Sequence, residues 1–228
     1  MRLSAIILAA TLGVSSVAYA GPPVIVELYT SQGCGACADA TGLVNELAAR
    51  EEVIPLTFAV DYWDYLGWKD TFARPEFSAR QRSYAARKDI PAVFTPQVVV
   101  DGVGQARAGD AKAVDALIRD AAKAQRNPPE IRMLPGRVLV GSGPRLAAPA
   151  DVWLIRYDPA SRQVDVLRGE NQGRSLGYRN VVRELVRLGG WTGSPTAFSL
   201  PEAREQGLET LIVVQQPRGG QVMALLTD

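Results

Sequence analysis

The chain has 228 residues, 47% hydrophobic and 21% charged, the composition of a globular protein with a sizeable core rather than a disordered one. Its 25 basic and 24 acidic residues leave a formal charge of +1, too little for a nucleic-acid footprint. It has no histidine and two cysteines, which excludes a Ser-His-Asp or Cys-His unit and a four-cysteine zinc site.

Residues 1–20 read as a secretory signal. Arg2 is the only charge, Leu3 to Val17 is apolar apart from Ser, Thr and Gly, and Ala18-Tyr19-Ala20 has the small-x-small form of a cleavage site. An apolar run of roughly 15 residues falls short of the ~20 that span hydrocarbon. Cleavage after Ala20 therefore predicts a secreted or periplasmic chain without stable membrane insertion, in a space where disulfides persist.

From Gly21 to residue 126 strands alternate with helices. Val24–Tyr29 and Val53–Val60 are buried strands, and Cys37–Arg50 carries Leu43, Val44 and Leu47 at helical spacing. An aromatic and acidic segment, Asp61–Asp70, precedes a charged helix over Pro75–Lys88. Gln97–Val100 runs into the turn residues Asp101-Gly102, and Asp110 caps a helix bearing Val114, Leu117, Ile118 and Ala121. From residue 127 the pattern changes to short runs divided by turn residues: Arg137–Val140, Val152–Tyr157, Gln163–Leu167, Thr196–Leu200, Leu211–Gln215 and Val222–Leu226. Such spacing predicts a β-sandwich over 127–228. Tyr178–Leu188 fits either helix or strand, and its neighbourhood favours strand.

Cys34-Gly35-Ala36-Cys37 lies where the first strand hands over to the first helix. A helix N-terminus favours a thiolate at Cys34, the expected nucleophile, and Cys37 one turn on is placed to resolve a mixed disulfide. The competing readings are a static disulfide, which a four-residue loop makes a poor staple, and a metal site, which would need carboxylates as its other ligands.

The run Val26-Glu27-Leu28-Tyr29-Thr30-Ser31-Gln32-Gly33-Cys34 with Cys37 resembles the strand, active-site loop and helix of the thioredoxin superfamily. Thr95-Pro96-Gln97-Val98-Val99-Val100 resembles its proline loop. Together with Val60–Asp70 the sequence is similar to one branch, the secreted thioredoxin-like family known as domain of unknown function 1223. Ala38-Asp39-Ala40 stands where members of that family often carry a proline. The resemblance implies an α/β thioredoxin-like domain ahead of the β-sandwich, a cis bond between Thr95 and Pro96, and a substrate groove shaped by those two residues. It also implies that Glu27, matched with a one-residue gap, accepts the proton of Cys37; a carboxylate in an apolar strand suits that task.

Parallel pairing of the first two strands places Asp61–Asp70 on the same sheet edge as Cys34. Trp63 and Trp68 there form either a recognition rim or a packed loop. The expectation is thus an exported thiol–disulfide oxidoreductase with no organic cofactor and no metal, acting on a thiol or disulfide substrate of protein nature. The rival is a non-catalytic binding protein that keeps a structural disulfide.

Overall fold

The β-branched and apolar run Val24–Thr30 forms the first strand, β1, and the computed structural model describes it with the rest of residues 22–124 and 127–228. The expected signal over 1–20 lies outside the described residues. A 3₁₀ segment over Gly35–Ala40 leads into α1 (Thr41–Leu47), followed by β2 (Val53–Ala59). Next come α2 (Pro75–Arg87), with Pro75 in its first turn, β3 (Gln97–Val100), β4 (Gly104–Arg107) and α3 (Ala111–Lys123). The Asp110 side chain accepts the Ala113 N–H at 3.0 Å, the cap expected for α3.

The remaining elements are strands. These are β5 (Ile131–Leu134), β6 (Arg137–Val140), β7 (Ala150–Asp158), β8 (Arg162–Asp165), β9 (Ser175–Tyr178), β10 (Val181–Trp191), β11 (Thr196–Ser199), β12 (Glu209–Gln215) and β13 (Val222–Thr227). The ambiguous stretch from Tyr178 to Leu188 holds the last residue of β9 and most of β10, strand as its neighbourhood favoured, with a break at Arg179-Asn180.

Eight strands make one mixed sheet in the order β13-β12-β7-β10-β2-β1-β3-β4. β1 and β2 are parallel, and β3 runs antiparallel to β1. β10 meets β2 in parallel at Val181 opposite Thr57. That seam is reinforced by Thr57 N–H donating to Asn180 O at 2.9 Å and Asn180 Nδ2 donating to Pro55 O at 2.8 Å. A three-stranded sheet, β11-β6-β5, lies over the β7 and β12 region, where Val138, Val140 and Phe198 pack with Leu154, Trp191, Ile212 and Val214.

The expected architecture, a thioredoxin-like α/β domain followed by a β-sandwich, is therefore corrected. The described residues are mostly sheet with three short α-helices, and the large sheet runs through both halves. The core does the same: Tyr29, Phe58, Phe77 and Tyr84 share one cluster with Ile155, Val182, Leu211 and Val222. Pairing β2 with β10 removes an edge that each would otherwise present to solvent, and burying α2 against both halves joins their apolar surfaces.

Side chains alternate along β1. Ile25 and Tyr29 point to the face covered by α2, with Glu27 between them, and Val24, Val26 and Leu28 to the face covered by α1 and α3. This alternation separates the two charged or reactive centres described next.

Candidate functional site at the cysteine pair

Cys34 and Cys37 form a disulfide, with Cα atoms 5.3 Å apart. The segment after Cys34 is 3₁₀ rather than α-helical, and α1 begins only at Thr41. The long helix expected from Cys37 is thus shorter and tighter at its start, with little aligned dipole behind the cysteine. Both cysteines are buried, Cys34 at 2% exposure and Cys37 fully.

Three segments hold this loop. The first is the residue pair Thr95-Pro96, whose bond is cis. Thr95 Oγ1 lies 3.3 Å from Cys34 Sγ and accepts the indole N–H of Trp63 at 2.8 Å. Because the indole occupies a lone pair of the hydroxyl, the hydroxyl proton is left to point at the sulfur. Pro96 lines a groove of about 680 Å³ beside Ala36 of the loop, with Leu43 and Ala108 as apolar walls and Asp39, Glu46 and Arg107 at its rim.

The second segment is Asp61–Asp70. Trp68 Nε1 donates to Gln32 Oε1 at 2.9 Å, and Asp70 accepts the Gln32 N–H at 2.7 Å and the Phe72 N–H at 2.9 Å. Burial raises the Asp70 carboxyl to about 6, against the pull of those N–H donors. Trp63 and Trp68 are therefore half-buried and bonded to the loop and to Thr95, so the packed-loop alternative describes them. Tyr65, stacked on Trp63 and 78% exposed, is the one large aromatic of this segment left to solvent.

The third segment is the turn between β8 and β9, Val166–Arg174, which no sequence motif singled out. It is internally bonded, with Gly173 N–H donating to Val166 O at 2.8 Å and Arg174 N–H to Asn171 O at 3.0 Å. From it, buried Asn171 donates through Nδ2 to Cys34 O at 2.8 Å and to Gln32 O at 3.0 Å. Glu170 accepts the Gly35 N–H at 2.7 Å, and Arg174 pairs with Asp39 at 3.1 Å. Gly169 takes a positive φ of 81°, a backbone conformation that residues with a side chain rarely adopt, and lies in van der Waals contact with Gly33 and Trp68.

Glu27 is not part of this site, which corrects the expected proton acceptor. Its carboxylate is held by Arg80 through Nε at 2.9 Å and Nη2 at 2.8 Å, and by the hydroxyls of Tyr29 at 2.6 Å and Tyr84 at 2.7 Å. Gln215 from β12 accepts from Arg80 and donates to Tyr84. The guanidinium also lies over the rings of Phe58, Tyr84 and Trp153. Burial drives the Tyr29 and Tyr84 hydroxyls far up, so both stay protonated and serve as donors. Glu27 projects to the α2 face, whereas Cys37 belongs to the segment leading into α1 on the other.

Among the described residues no group of three or more Cys, Asp or Glu side chains is arranged to hold a metal ion.

The profile of DUF1223, described as a protein of unknown function, matches residues 25–215. A crystal structure of a protein from Agrobacterium tumefaciens is 24% identical, with a TM-score of 0.70 over 91% of this chain and 94% of that one. HBP35 of Porphyromonas gingivalis is 11% identical, with a TM-score of 0.57 over 91% of this chain and 74% of that one. Both likenesses concern the fold. No curated protein gives a significant match.

Proposed function

The chain belongs to the DUF1223 family, and on that premise we propose that it is an exported thiol–disulfide oxidoreductase working through Cys34 and Cys37. The observation that carries this reading is the disulfide itself, closed between the only two cysteines at the end of a central strand. A hydroxyl reaches Cys34 Sγ, and a groove opens beside the loop. The apolar run and small-x-small site within residues 1–20 support export.

In the reduced pair the Cys34 thiolate attacks one sulfur of a substrate disulfide and displaces the other as a thiolate. Cys37, deprotonated, then attacks Cys34 Sγ in the mixed disulfide and releases the second substrate thiol. Two electrons pass to the substrate as the Cys34–Cys37 bond forms. Run backwards, a substrate dithiol reduces the pair. The Thr95 hydroxyl, oriented by Trp63, is the donor that stabilises negative charge on Cys34 in either direction.

Equilibration of the full chain with glutathione buffers tests the reading. A reduction potential above about −300 mV supports exchange chemistry, whereas a lower one marks a structural bond and returns the binding-protein alternative. Cys37→Ala should trap a substrate protein as a reducible adduct on Cys34.

A further inference from the structure

The Gly35 amide is the backbone donor immediately after the nucleophile, and in this fold it does not face the sulfur. Its N–H is taken by Glu170 at 2.7 Å, from a turn 135 residues away. The Cys37 N–H is likewise committed, to Cys34 O at 3.0 Å. Asn171 fixes the carbonyl side of the same peptide by donating to Cys34 O. The peptide plane after Cys34 is thus gripped on both edges by adjacent residues of one turn, and the grip on its N–H side is a carboxylate.

We propose that Glu170 is a positioning residue for Cys34. By accepting the Gly35 N–H it withdraws the backbone donor that follows Cys34 in the chain and places a negative charge on that side of the thiolate. Both effects disfavour the thiolate and hold the pair in its disulfide form. This inference rests on the oxidoreductase reading for its biological meaning, but not for its chemistry, which concerns one thiol and one carboxylate.

The other charged groups around the loop are accounted for differently. Asp70 binds the Gln32 N–H, Asp39 is paired with Arg174, and Arg107 lies over the Phe94 ring at the far wall of the groove. Glu46 lines the groove on α1 and has no bond to the Cys34–Gly35 peptide among those described, which makes it the control carboxylate.

The experiment measures iodoacetamide alkylation of Cys34 against pH in the full chain carrying Cys37→Ala, alone and with Glu170→Gln, Glu170→Ala or Glu46→Gln. Glu170→Gln removes the charge and keeps an acceptor for Gly35; Glu170→Ala removes both. The expected titration midpoint falls by about half a unit with Gln, giving about threefold faster alkylation at pH below the midpoint, and falls further with Ala. Glu46→Gln should leave the midpoint in place. Because Glu170 is exposed, raising the salt to about 1 M should bring the unsubstituted protein toward the Gln variant without any mutation at 170. Coincident profiles for the two Glu170 variants and their parent, or a midpoint indifferent to salt, overturn the proposal. Alkylation needs no turnover, so a pair that fails to exchange with glutathione sinks the enzymatic reading and leaves this measurement intact.

Discussion

Two carboxylates each grip a key group of this protein, and their surroundings could hardly differ more. Glu27 is 1% exposed, faces a buried guanidinium and accepts two tyrosine hydroxyls, so its charge is fully compensated. Glu170 is exposed, accepts one backbone N–H and has water for its remaining lone pairs. The first binds β1, α2 and β12 into one core and is expensive to disturb in any of its members. The second adjusts a loop and can be changed at little cost to the fold. An acidic residue near a cysteine pair in sequence is therefore a poor guide to which carboxylate acts on the sulfurs; the one that binds the peptide after Cys34 comes from a turn 135 residues beyond Gly35.

The largest effect expected from this contrast is at Glu27. Glu27→Gln leaves Arg80 charged, buried and short of its counter-ion, which should cost about 3–5 kcal/mol, read as a lowered urea midpoint. The same change at Glu170 should alter stability by no more than about 0.5 kcal/mol, as for other surface substitutions. Equal midpoints for the Glu27 variant and the parent would mean that the Arg80 network is not a stability centre. This reverses what a proton acceptor at Glu27 would imply, since a lone buried carboxylate is relieved by neutralisation.

The sequence made much of this structure legible and left specific parts out of reach. Short apolar runs divided by turn residues located β6, β7, β11, β12 and β13 to within a few residues, and Pro75 and Asp110 marked the starts of α2 and α3. Pairing was another matter. The seam between β2 and β10 rests on one register pair and an asparagine, and no hydrophobic run specifies which edge it will join. Glu27 stood out correctly as an acid in an apolar strand, but its counter-ion lies 53 residues on, in a helix whose sequence reads as charged and solvent-facing. Glu170 and Asn171 gave no signal because they bind backbone N–H and C=O groups, which every residue carries.

A second, smaller effect sharpens the comparison through Asp70, a carboxylate intermediate between the two. It is largely buried like Glu27, yet it binds the cysteine loop like Glu170, and its hydrogen-bond partners among the described residues are neutral backbone donors. Its carboxyl titrates at about 6 when folded and near ~3.9 when unfolded. Between those values the native state holds more protons than the unfolded chain, so stability falls as pH rises. The loss should be on the order of 2–3 kcal/mol between pH 4 and 7. Asp70→Asn should flatten that slope, and urea midpoints of both proteins across the range decide it. Parallel curves would place the titrating group elsewhere.

The smallest effect belongs to the disulfide. If the cysteine loop is held by Asn171, Glu170, Asp70 and Trp68, its shape does not depend on the bond between the sulfurs. A four-residue loop also removes little entropy from the unfolded chain, in contrast to a bridge across a long loop. Cys34→Ser/Cys37→Ser should therefore unfold within about 1–2 kcal/mol of the oxidised, disulfide-bonded wild type, with the near-ultraviolet signal of Trp63 and Trp68 retained. Asn171→Ala supplies the contrast. It strips a buried donor from the carbonyls of Gln32 and Cys34, of which Cys34 O keeps the Cys37 N–H, and leaving a buried polar group unpaired costs about 1–3 kcal/mol. A larger loss from the two serines than from Asn171→Ala would show that the bond, and not the turn, holds the loop. Cys34 and Cys37 would then be a staple, with exchange at the pair incidental to the fold it secures.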